Sequence, residues 1–158
     1  MDRSQKKMKD TVLKQQPMSI DSHLKEIRPP EMVLSKQKET ELTERQRSLL
    51  SGLGKLFNKG FANLTMAEIA KELNCSLRTL YSLAPSKEQL VLIVIERNLW
   101  ARGRTAMSAI SPNMQPLKAI RTYLQAANVA AANTTEAFAR DLQTVPSAQQ
   151  LIEDHNSY

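Results

Sequence analysis

Apolar residues recur at helical spacing from about residue 49 to the end of the chain, with polar residues on the opposite faces. Leu49, Leu50, Leu53, Leu56 and Phe57 stand at i, i+1, i+4, i+7 and i+8, one stripe of an amphipathic helix. Met66, Ile69, Ala70 and Leu73 form a second face, and Leu77, Leu80 and Tyr81 a third. Leu90–Ile95 is apolar on every side, which predicts a helix buried on more than one side. Leu117, Ile120, Leu124 and Val129, with Tyr123 beside them, predict a further helix. Phe138 and Leu142 begin another, and Leu151 and Ile152 belong to a last one that starts at Pro146-Ser147. The expected fold class is all-α. Residues 1–42 show no sustained apolar period and contain Pro17, Pro29 and Pro30, so they are expected to be a disordered arm.

Start and stop signals sharpen these boundaries. Thr43 with Gln46, and Thr65 with Glu68, each read as a capping box. Ser76 precedes the third face, and Ser86, with Gln89 three residues on, precedes the long apolar run. Lys59-Gly60 reads as a helix stop with glycine in the left-handed region, and Asn74 stops the second face in the same way. Gly52 and Gly54 each cost about 1 kcal/mol against alanine inside a helix, which suggests close approach by a neighbouring helix. Ser111-Pro112 and Pro116 break the pattern after the long helix.

The stretch Thr65–Leu90 thus places two short helices around a tight turn, followed by the start of a third, the arrangement of a helix-turn-helix. Its second helix presents Leu77, Arg78, Thr79 and Ser82, side chains suited to base edges in a major groove. The run Thr65, Ile69, Ala70, Ser76, Thr79, Leu80, Tyr81, Ser86, Lys87, Glu88 and Leu90 resembles the DNA-binding domain of the tetracycline-repressor (TetR) family. Leu49, Leu50, Leu56, Phe57, Gly60 and Phe61 match that family's first helix and the turn after it. The resemblance covers roughly residues 45–100. It implies an arm over 1–42, a helix-turn-helix domain over 43–103, and part of a helical effector-binding and dimerisation domain over 104–158.

The resemblance further implies that Thr65, Thr79, Tyr81 and Lys87 contact backbone phosphates, and that the fourth helix transmits ligand binding. The chemistry of the residues agrees for the DNA contacts. Arg78 suits guanine O6 and N7, Leu77 suits a thymine methyl, and hydroxyls with a lysine at a helix start suit phosphate. The sequence departs from the family at Ala84, where an aromatic is usual, and Leu83 is the residue placed to fill the space. The link from Phe57 to Gly60 is one residue short of the family's.

Charge supports the same segment. Residues 1–44 carry net +1, residues 45–104 net +6 and residues 105–158 net −1. The whole positive excess lies where the helix-turn-helix lies, the footprint of a nucleic-acid-binding domain. The basic cluster Arg3, Lys6, Lys7 and Lys9 suits a contact to phosphate, but the near-balanced charge of the arm favours a flexible tail without that role.

Catalysis finds no support. His23 and His155 stand alone, the one cysteine, Cys75, reads as a small residue packed at the turn, and no metal-ligand spacing or cofactor motif is present. Ser51-Gly-Leu-Gly-Lys55 lacks the spacing of a phosphate loop. Trp100, Met107 and Met114 are candidates to line a ligand pocket, though at helical spacing they also suit a core. No stretch is apolar for long enough to span a bilayer, and a cytoplasmic protein is expected.

The expected partners are double-stranded DNA, a small-molecule effector of unknown identity, and a second copy of the chain. The homodimer is in question, because the pattern stops at Tyr158 inside a helix. Two functions fit: a ligand-responsive regulator, most simply a repressor, or a helical protein-interaction module that no longer binds DNA.

Overall fold

The computed structural model describes residues 31–157 except Asn133, and among these all regular structure is helical. In chain order the helices are α1 (Lys36–Glu41), α2 (Glu44–Phe57), α3 (Met66–Glu72), α4 (Leu77–Leu83), α5 (Lys87–Ser108), α6 (Pro116–Ala131), α7 (Glu136–Leu142) and α8 (Pro146–Asn156). Glu31–Ser157 form one compact unit. No helix among the described residues is long and apolar enough to cross a membrane.

The caps are those the sequence predicts. Thr43 and Thr65 close full capping boxes with Gln46 and Glu68, and the hydroxyls of Ser76 and Ser86 accept from the backbone N–H of Thr79 and Gln89. Helices α6 and α8 start with proline at the first turn, where its missing N–H leaves no donor unpaired. The short link after α2 is closed tightly, with Lys59 N–H donating to the Leu56 carbonyl and Gly60 N–H to that of Phe57. Gly60 has φ 107° and Asn74 has φ 49°, the only positive values among the described residues.

The core forms where α2, α3, α4 and α5 meet. Leu53, Phe57, Phe61, Ile69, Leu80, Leu90 and Val91 are all 1% exposed or less. Full burial of such a side chain contributes about 1.5–3 kcal/mol, so this cluster holds the short helices α3 and α4, which are too short to persist alone. Helix α5 is its spine, with every residue from Leu90 to Glu96 buried. At 22 residues it extends about 33 Å and runs uninterrupted through the expected 103/104 boundary. Gly52 does admit a neighbour: a Cβ there would stand 2.9 Å from Leu73 Cδ2 of α3, whereas a Cβ on Gly54 would meet nothing within 4 Å. Leu83 and Ala84 are both buried, so Leu83 occupies space beneath α4 as expected.

One expectation is corrected. Residues 31–42, assigned to a disordered arm, are ordered against α5, while the rest of the arm, with Arg3, Lys6, Lys7 and Lys9, lies outside the described residues. Leu34 is 5% exposed and belongs to the core. The buried Glu96 carboxylate accepts from the Val33 N–H at 3.0 Å and the Leu34 N–H at 3.5 Å. Arg97 pairs with Glu39 at 2.5 Å, and Arg47 donates to the Glu39 and Thr40 carbonyls. Tertiary partners thus order a segment whose composition is too polar to order itself.

Helix α6 carries the apolar stripe that the sequence predicts on a helix. Its aliphatic residues face solvent: Leu117, Ile120, Leu124 and Val129 are 83%, 58%, 55% and 72% exposed. Helix α6 contacts α5, and its partly buried residues are mostly small, Ala119, Ala126, Ala127 and Ala130, with Thr122 and Tyr123. Small residues permit close helix approach, and the large ones are left outside.

Candidate nucleic-acid interface

The two helices of the motif are built on short capped segments. Asn74 takes a left-handed backbone in the turn, its N–H donating to the Lys71 carbonyl and that of Cys75 to Ala70. Cys75 is half-buried there and packs against the core. Leu80 and Leu83 anchor α4 from beneath. Helix α2 braces both ends of this unit: Arg45 donates to the Asn74 carbonyl at 2.9 Å, and Gln46 Nε2 to Ser82 Oγ at 3.4 Å. Helix α4 is therefore fixed by packing below and by α2 at the side.

The seven residues expected to meet DNA fall into two groups. Leu77 (43% exposed), Arg78 and Tyr81 (51% exposed) project from α4, and neither Arg78 nor Tyr81 has a hydrogen-bond partner among the described residues. The others are already hydrogen-bonded. The Thr65 hydroxyl donates to Glu68 Oε2 at 2.7 Å, Thr79 Oγ1 lies 2.8 Å from Ser76 Oγ, and the Ser82 hydroxyl donates to the Thr79 carbonyl at 2.7 Å. The Glu68 carboxyl sits below its ordinary pKa, chiefly because Thr65 N–H donates to it, then through the Thr65 hydroxyl and the nearby Lys71 and Lys87. Lys87 Nζ donates to the carbonyls of Phe61 (3.3 Å) and Ala62 (2.8 Å), which commits two of its three donors.

Those carbonyls belong to a turn held from both sides. The backbone N–H groups of Phe61 and Ala62 donate to Asp141 Oδ2 of α7, at 2.5 and 2.9 Å. Asp141 is buried, and its pKa is lowered, first by the Ala62 N–H, then by that of Phe61 and by Arg140. The rings of Phe57, Phe61 and Phe138 continue the connection, with centroids 5.3 and 5.6 Å apart. Thr135 adds a hydrogen bond to the Asn58 carbonyl. The turn leading into the helix-turn-helix is thus tied to α5 by a lysine and to α7 by an aspartate.

Residues 49–94 match the family model described as bacterial regulatory proteins, tetR family. The chain carries a TetR-family helix-turn-helix domain. No match was found among curated proteins or among solved structures. The TetR-type segment includes α3, α4 and the buried run of α5 as far as Val94, and so all seven candidate DNA contacts. It is the domain of a DNA-binding family of transcription regulators.

Sequence reasoning missed Asp141 and Glu96. Glu96 left a trace, an acid directly after six buried apolar residues of one helix. Asp141 left none, because its partners are backbone N–H groups about 80 residues away. Of the candidate pocket residues, Trp100 lines a cavity and stacks edge-on with His155 at 5.0 Å, whose pKa burial lowers. Met107 is 62% exposed, and neither it nor Met114 lines that cavity. Among the described residues no group of three His, Cys, Asp or Glu is placed to hold a metal.

Proposed function

We propose that this protein is a sequence-specific transcription regulator, acting as an effector-responsive repressor and reading the major groove with α4. The observation that carries the proposal is the outward set Leu77, Arg78 and Tyr81 on a helix seated by Leu80 and Leu83, within the segment that holds the chain's positive excess. Arg78 reads a guanine, Leu77 meets a thymine methyl, and Tyr81 reaches a phosphate with its hydroxyl. Thr65 and Thr79 serve phosphates by exchanging their present hydrogen bonds, Ser82 turns its hydroxyl to a base edge, and Lys87 brings its charge to the strand while holding the Phe61–Ala62 turn. Residues 43–103 form the reading domain and 104–158 a helical regulatory region.

Two copies acting together suit this geometry, because half-sites on one face of the duplex lie one helical turn apart. The exposed aliphatic stripe of α6 supports pairing through a second copy of the chain, since contiguous apolar surface is what self-association buries.

The test uses duplexes selected from a random pool and two variants. Arg78→Ala should relax preference at one or two base pairs by about 1–3 kcal/mol. Lys87→Ala should weaken all sequences alike and lower the salt slope by about 1. Two variants that bind the selected duplex as the parent does would remove the proposal.

A further inference from the structure

A cavity of about 560 Å³ opens along α2 and α5 beside the segment that leads into α1. It is separate from the recognition surface: none of the seven candidate DNA contacts lines it. Its size is that of a small-molecule site. Part of its wall is apolar, from Met32, Leu50, Val94 and Trp100. Three cations join them, Lys55 from α2 with Arg97 and Arg104 from α5, together with two acids, Glu39 and Glu96.

The charges do not cancel. Glu39 is taken by Arg97, and Glu96 is occupied by the N–H groups of Val33 and Leu34. Lys55 and Arg104 have no hydrogen-bond or ion-pair partner among the described residues. The cavity thus combines an apolar wall with two cations that no protein acid satisfies, and its formal charge is a single positive one.

We propose that this cleft binds an amphipathic monocarboxylate. Lys55 and Arg104 take the carboxylate, and the hydrocarbon part lies along Leu50, Val94 and Trp100. One negative charge balances the lining, whereas a dianion would exceed it. Binding is a property of the cleft alone and does not depend on whether α4 reads DNA.

The probe is decanoate, with decanamide as its neutral counterpart, measured by equilibrium dialysis on the full chain. Emission of Trp100, the only tryptophan, locates the bound molecule. Decanoate should bind saturably and shift that emission, with decanamide about tenfold weaker, the share expected of a charge-assisted contact. The double variant Lys55→Ala with Arg104→Ala should lose about tenfold for decanoate and nothing for decanamide. Gly54→Leu keeps the fold intact, since a Cβ there meets nothing within 4 Å and leucine favours the helix. Its side chain projects into the cleft and should weaken binding of both. Absence of saturable binding, equal affinity for the two probes, or unchanged decanoate binding in the charge or filling variants would each overturn the proposal.

Discussion

Replacing Asp141 with alanine tests the tie between α7 and the turn that leads into the helix-turn-helix. One carboxylate oxygen accepts two backbone N–H groups there, at 2.5 and 2.9 Å. Hydrogen bonds to a charged acceptor contribute about 1.5–3 kcal/mol each, and a buried donor left unpaired costs about 1–3 kcal/mol. The Phe61 bond is buried, so its full loss is felt. The Ala62 bond is partly buried, so water recovers much of the second.

The expected loss for Asp141→Ala is therefore about 2–4 kcal/mol, read from urea unfolding by circular dichroism with an unchanged m-value. Asp141→Asn keeps an acceptor without the charge and should lose about half as much. The sign of the pH dependence follows from the lowered pKa. A carboxyl whose native pKa lies below its unfolded value of about 3.9 stabilises fully above that value. Its contribution disappears as pH falls through the native pKa. The gap between parent and variant should thus be constant from neutral pH to about 5 and narrow below 4. A loss under about 1 kcal/mol, or a gap that widens in acid, would refute the reasoning.

Three further outcomes follow from the same contacts. Gly60→Ala places a side chain at φ 107° with its Cβ 3.2 Å from Asp141 Oδ2, and should cost about 1–3 kcal/mol in the same unfolding assay. Glu96 is held above its ordinary pKa by burial, against the opposing N–H groups of Val33 and Leu34. Its native form keeps the proton more tightly than the unfolded chain does, so stability falls as pH rises from about 4.3 through the native value. Glu96→Gln should remove that slope, and Glu96→Ala should expose residues 31–41 to limited proteolysis. Leu124→Glu on the exposed face of α6 should lower self-association in sedimentation at constant thermal stability, because that side chain is 55% exposed in one copy.

The helices were legible because their ends are written locally. Thr43, Thr65, Ser76 and Ser86 each bond a backbone N–H three residues on, and spacing alone reveals such pairs. Helix α4 was legible for the same reason, through its Ser76 cap. The contacts that hold the motif in place were not. Glu96 orders a segment about 60 residues earlier and Asp141 holds a turn about 80 residues earlier, and no periodicity reports on pairs so distant. Helix α6 was legible as a helix, but its surroundings were not. An apolar stripe predicts a helix face, but it does not say whether the chain's own core or another surface covers it, and here alanines took the inner side.

The central claim is that α4 reads a DNA sequence, and selection from random duplexes followed by a salt titration measures it most directly. The account predicts enrichment of one near-palindromic sequence. It also predicts affinity that falls linearly in log–log form with salt, with a slope of about −0.9 per phosphate neutralised. Recovery of no preferred sequence, together with affinity that does not change with salt, would contradict it.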